Sequence, residues 1–148
     1  MIVTAQVTVN APVAKLWDTM TNIQRTAEFI SGIKNISIIE NPKTGLVGLK
    51  WSETRIFFGD TATVEKCITQ AKDSEFYTTR AEDSGFVFLT TNRISITDTG
   101  LTLIGIHETV PQTIPARFKA LPLIFFKGTI RKAILQDLND IKSETERL

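Results

Sequence analysis

The chain has 148 residues, 42% of them hydrophobic, and 17 Lys+Arg against 16 Asp+Glu give a net charge of +1. That length suits one domain with one core, taken here as residues 1–148, and the interspersed charges offer no broad lure for nucleic acid or an anionic membrane. The one cysteine, Cys67, excludes an internal disulfide, and the one histidine, His107, leaves no Cys/His zinc site, so neither a metal nor a cofactor is expected. Residues 1–6 carry no basic flank or long apolar run of a signal peptide, and a cytoplasmic protein is the expectation.

Taken in order, Val3, Ala5, Val7 and Val9 alternate with Thr4, Gln6 and Thr8, which predicts a half-buried strand. Asn10-Ala11-Pro12 closes it and opens a helix whose Val13, Leu16, Trp17 and Met20 form one buried stripe, Trp17 being read as core. After Thr21-Asn22 a second short helix runs through Ile23, Ala27, Phe29 and Ile30 and stops at Ser31-Gly32. The period then changes to two. Strands are predicted at residues 33–40, 47–58, 61–71, 75–82, 86–97 and 101–110, separated by clusters rich in Gly, Asp, Asn and Ser at hairpin spacing.

The last stretch, residues 113–147, opens after the break at Val110-Pro111, with Thr113 as N-cap and Pro115 in the first turn. Phe118, Leu121, Phe125, Ile130, Ile134, Leu138 and Ile141 recur at helical spacing. Lys119, Lys127, Arg131, Lys132, Asp137 and Asp140 are assigned to the opposite face. One helix of that length would run roughly 45–50 Å. Pro122 should kink or break it near residues 120–122, and the apolar run 121–126 is far shorter than a membrane span. The class is α+β: a curled antiparallel sheet around one long helix, with two short helices filling the gap and a space left between them.

This order, with particular residues, resembles the START-like helix-grip superfamily (SRPBCC), which includes polyketide cyclase/dehydrase-like proteins and lipid carriers. Residues 9–18, Val-Asn-Ala-Pro-Val-Ala-Lys-Leu-Trp-Asp, look like its strand-to-helix passage. Residues 23–32 resemble the helix that follows, with Phe29 where tryptophan is common. Residues 46–55, ending Lys-Trp-Ser-Glu-Thr-Arg, and the continuation 57–65 are similar to a strand pair of one bacterial subgroup, and 127–138 to its terminal helix. The resemblance spans nearly the whole chain. It implies the helix-grip fold, with a seven-stranded curved sheet, but says little about chemistry, because the fold hosts carriers, cyclases, hydrolases and chaperone activators.

Within that frame Trp51, Glu53 and Arg55 share one strand face, either as a structural ion pair, as a solvated row, or as a polar anchor in a cavity wall. His107 shares parity with Leu103 and Gly105 and reads as a hydrogen-bonded core residue or a base; Glu108 points the other way. Phe86, Phe88, Thr90, Asn92, Ile94 and Ile96 suit a cavity wall with one directional contact at Asn92, or a plain core. Lys66 stands where the subgroup has an apolar residue, Cys67 alternates out of that set, and Arg80 and Arg93 read as solvated. The expected ligand-binding residues are therefore Phe29, Trp51, Glu53, Arg55, Phe88, Asn92, His107, Phe118, Leu121 and Phe125, with no catalytic residue assigned. The expected function is binding or transport of a small hydrophobic molecule, lipid-like, aromatic or polyketide-like, without nucleic acid and without stable membrane insertion. A polyketide cyclase/dehydratase-like enzyme using the same polar residues is the alternative. Oligomeric state is left open.

Overall fold

The computed structural model describes residues 1–57, 59–120 and 126–147, with the backbone alone at residues 57 and 118–120. Strand β1 (Ile2–Val9) leads into helix α1 (Val13–Thr21), a 3-10 turn (Ile23–Arg25) and the one-turn helix α2 (Thr26–Phe29). Six strands follow: β2 (Ile33–Glu40), β3 (Lys50–Phe57), β4 (Asp60–Lys72), β5 (Phe76–Asp83), β6 (Phe86–Thr97) and β7 (Gly100–Pro111). They form one antiparallel sheet in the order β1-β7-β6-β5-β4-β3-β2, so each strand of the meander pairs with its chain neighbour and β1 closes on β7. Helices α3 (Ile114–Ala120) and α4 (Lys127–Glu146) complete the chain.

Strand alternation decides which side chains point inward. Val3, Ala5 and Val9 of β1 are buried with Leu101 and Leu103 of β7 and Ile94 of β6 beneath α4, whose Leu138, Ile141 and Thr145 are buried in turn. Gly105 makes that approach possible: a Cβ there would stand 2.9 Å from Ile134 Cγ2 and 3.4 Å from Leu138 Cδ2. Helix α1 presents Leu16, Trp17 and Met20 to the same core, and Trp17 packs edge-on against Tyr77 with ring centroids 6.4 Å apart.

Two sequence expectations need correction. The strand predicted from residue 47 begins at Lys50, because Gly48 has φ +97° and the Leu49 amide bonds back to the Leu46 carbonyl in a turn. The C-terminal stretch is not one helix of 45–50 Å. Among the described residues it is two, and α4, with 20 residues, spans ~30 Å. Phe126 is the N-cap of α4 with φ −102° and ψ 8°, so that helix starts anew. Thr113 caps α3 as expected, its Oγ1 accepting from the Ala116 amide at 3.1 Å. The break expected at residues 120–122 falls mostly on 121–125, outside the described residues.

Candidate functional site

Trp51, Glu53 and Arg55 face inward. Trp51 is 2% and Glu53 4% exposed. A carboxylate that deep needs partners, and Glu53 has three: Arg55 Nε at 2.6 Å, Lys66 Nζ at 2.9 Å and Trp51 Nε1 at 3.3 Å. Arg55 in turn holds Asp137 of α4 through both terminal nitrogens, at 2.6 and 3.3 Å. The row Lys66–Glu53–Arg55–Asp137 alternates in sign and ties β4 and β3 to α4. Burial alone would raise the Glu53 carboxyl, but the charges of Lys66 and Arg55 and their hydrogen bonds reverse this and hold it at about 2. Burial likewise disfavours the charged Arg55, and Asp137 and Glu53 more than restore it.

Beside this row the concave face changes character. Under the last turns of α4 it is closed and apolar. Across β4, β6 and β7 it carries half-exposed side chains instead: Val64, Lys66, Phe88, Thr90, Asn92 and His107. The registers Cys67↔Arg80, Ala81↔Phe88 and Thr79↔Thr90↔His107 put small Thr79 and Ala81 on the floor between Lys66 and the Phe88–His107 pair. Phe88 and His107 stack with centroids 6.0 Å apart, and His107 Nδ1 shares a 3.0 Å hydrogen bond with Thr90 Oγ1. Burial first, then the positive charges of Lys66, Arg55 and the N-terminus, push the imidazole down to about 4, so it is neutral at neutral pH. Asn92 donates from Nδ2 to the Tyr77 hydroxyl at 3.1 Å, which itself donates to the Met20 carbonyl at 3.0 Å; burial raises that phenol to about 12.

Of the ten expected residues, Trp51, Glu53, Arg55, Phe88, Asn92 and His107 lie on this face. Phe29 does not join them: it lines a separate depression of about 130 Å³ with Asp18, Thr19, Asn22, Arg25 and Glu144. Phe118, Leu121 and Phe125 fall outside the described side chains. Arg55 is not a free anchor, being engaged on both sides by carboxylates. Arg93 is not simply solvated, since its guanidinium lies 4.4 Å above the Phe76 ring. Asp137 had been assigned to the solvent side, yet it sits at i+3 from Ile134 and i−4 from Ile141, on the edge of the buried stripe. That spacing was the signal for it. Tyr77 carried a weaker one, its parity with Thr79 and Ala81. A broader depression of about 520 Å³ at the β5–β6 hairpin, lined by residues 82–86 and Gln112, lies apart from this face. Among the described residues no group of His, Cys, Asp and Glu could hold a metal ion, and no helix is long and apolar enough to cross a membrane.

The sequence matches the family model "Polyketide cyclase / dehydrase and lipid transport" over residues 1–142. The chain belongs to that family. Solved structures share the fold at low identity. The Zhui aromatase/cyclase from Streptomyces sp. R1128 is 16% identical with a TM-score of 0.77, the match covering 99% of this chain and 94% of that one. A START superfamily protein from Mycobacterium smegmatis is 11% identical with a TM-score of 0.79, covering 98% and 97%. The di-domain aromatase/cyclase StfQ of the steffimycin pathway is 11% identical with a TM-score of 0.77, covering 98% of this chain, which spans 50% of that protein's length. No curated protein matches the sequence. Fold and family thus agree with the helix-grip expectation, with a seven-stranded sheet, a long C-terminal helix against it and short helices after β1.

Proposed function

We propose that residues 1–148 act as a single helix-grip domain that binds or carries a small hydrophobic molecule, lipid-like, aromatic or polyketide-like, between the concave sheet face and the C-terminal helical segment. One observation carries this reading. Phe88, Thr90, Asn92 and His107 point inward yet stay half-exposed, while their neighbours Ile94, Leu101 and Leu103 on the same face are buried. Burying roughly 300 Å² of apolar ligand surface there contributes on the order of 7 kcal/mol before the costs of association. Polar groups set orientation rather than affinity. Lys66 suits that role better than Arg55, because it is tied to one carboxylate and Arg55 to two. Native mass spectrometry of freshly purified protein, followed by tryptophan-quenching titration with fatty acids and polycyclic aromatics, tests the reading. A retained adduct or saturable quenching is expected; neither appearing across the panel would sink it.

The second reading is a cyclase/dehydratase-like reaction, and His107 favours it. A neutral imidazole beside a half-exposed lysine could accept a proton from an enolisable carbon while Lys66 stabilises the enolate oxygen.

A further inference from the structure

Residues 109–136 hold five basic side chains, Arg117, Lys119, Lys127, Arg131 and Lys132, and no Asp or Glu. The segment is +5 in a chain of net +1, so the rest of the chain carries −4. The described part of this segment also exposes large apolar side chains: Ile114 is 71%, Phe126 49% and Leu135 36% exposed. On α3, Ile114 and Arg117 share a side at i, i+3; on α4, Lys132 and Leu135 do the same, and all four are exposed.

The two helices meet the sheet at the same end. Helix α3 follows β7 directly and rests on the β5–β6 turn, where a Cβ on Gly85 would stand 3.2 Å from Ala116 Cβ. Helix α4 runs over β1 in the same direction as the strand, with Arg131 on the Thr4 carbonyl and Lys142 on the Thr8 carbonyl. Its first turn therefore lies toward the start of β1, which pairs with the end of β7. The first turn of α4 has no acidic residue and no side-chain cap, and Lys127 sits at the positive end of the helix dipole, where like charge is unfavourable, with Arg131 and Lys132 one turn further on. An ordinary solvated helix face would mix both signs.

We propose that this corner of α3 and the first half of α4 is a reversible docking surface for an anionic lipid bilayer. Exposed apolar side chains and a basic rim are the two signals a peripheral protein needs together, since either alone gives marginal binding. Negative charge is the complement of the rim, and a fluid interface accepts Ile114 and Phe126 without a matching protein groove. The surface does not depend on what the concave face binds.

The test is co-sedimentation with vesicles of phosphatidylcholine alone or with about a third phosphatidylserine. Binding is expected to the anionic vesicles only, and to weaken as salt rises from ~0.1 to ~1 M, which shortens the screening length from about 10 to about 3 Å. Arg117→Glu/Lys132→Glu should lower partitioning at least about tenfold, given roughly fivefold per cation. Ile114→Ser/Phe126→Ser should lower it too, while Lys34→Glu/Lys43→Glu, exposed residues elsewhere, should leave it unchanged. Circular dichroism melts confirm that each variant is folded. Uptake of a fluorescent fatty acid without vesicles, read on the same variants, separates this surface from the cavity. Equal sedimentation with both vesicle types, no sedimentation with either, or an equal loss in the Lys34/Lys43 control would overturn the proposal.

Discussion

Arg55 is where the residue-scale reading changed most. From parity alone it could anchor an acidic ligand; in the fold it sits between Glu53 and Asp137. Arg55→Met would leave Glu53 leaning on Lys66 and Asp137 without its cation, and breaking such a pair costs about 3–5 kcal/mol. A urea titration should show that loss, with acidic and neutral ligands weakened alike. A selective loss for acidic ligands would return Arg55 to the role of anchor. Acid should act on the same network in two stages. The folded His107 titrates at about 4, below its ordinary 6.5, so the unfolded chain binds more protons between these values. Its contribution is present above pH 6.5 and is lost as pH falls through 4. The Glu53 contribution, on the order of 3 kcal/mol, is present above pH 4.5 and is lost toward 2. The urea midpoint should therefore fall between pH 6.5 and 4.5 in the parent chain, and stay level there in His107→Phe. Strand parity put Trp51, Glu53 and Arg55 on one face of β3, but that this face looks inward was not legible, because parity does not say which side the core covers. Lys66 stood out only as a departure from a pattern, and its pairing with Glu53 needed the β3–β4 register.

At the scale of elements, Gly105 and α4 define each other. Gly105→Ala would drive a methyl group against Ile134 Cγ2, on a β-branched side chain that cannot swing away. A loss of about 1–3 kcal/mol is expected, and Gly105→Ala/Ile134→Ala should recover part of the Gly105→Ala loss relative to Ile134→Ala alone. Strict additivity would mean that α4 does not close on the sheet at this point. Leu138, 1% exposed, sits in the same contact, and Leu138→Asp should abolish the cooperative melt by burying an unpaired charge. The strands were readable because each turn cluster marks a reversal and each face alternates. The C-terminal helices were readable only as a pattern. Apolar spacing continues through residues 118–134, so periodicity alone extends one helix where Phe126 begins another. The basic bias of the same stretch was hidden by the near-zero net charge, because −4 elsewhere cancels +5 here.

For the molecule as a whole, the distribution of burial matters more than its amount. The half of the concave face under α4 is closed, whereas the half carrying Phe88, Thr90, Asn92 and His107 keeps access to solvent. The sequence held the alternation that placed these residues inward. It could not show which inward positions α4 covers, since that depends on where the helix crosses the sheet. Whether this open half holds a ligand or turns one over comes down to His107. The imidazole stacks on Phe88 and shares one hydrogen bond with Thr90, so His107→Phe keeps a ring in place and removes the proton acceptor. If the chain is a carrier, that variant should bind a hydrophobic ligand with a Kd within about fivefold of the parent, because a single neutral hydrogen bond contributes only ~1 kcal/mol. If it turns over an enolisable polyketide-like substrate, the variant should lose kcat by about 10²–10⁴ with affinity nearly intact, the range for a general base. The parent kcat should then also fall with acid, following a group that titrates at about 4. Titration calorimetry and a single-turnover assay on the two proteins separate the readings: retained turnover in His107→Phe removes the imidazole from any reaction this fold performs.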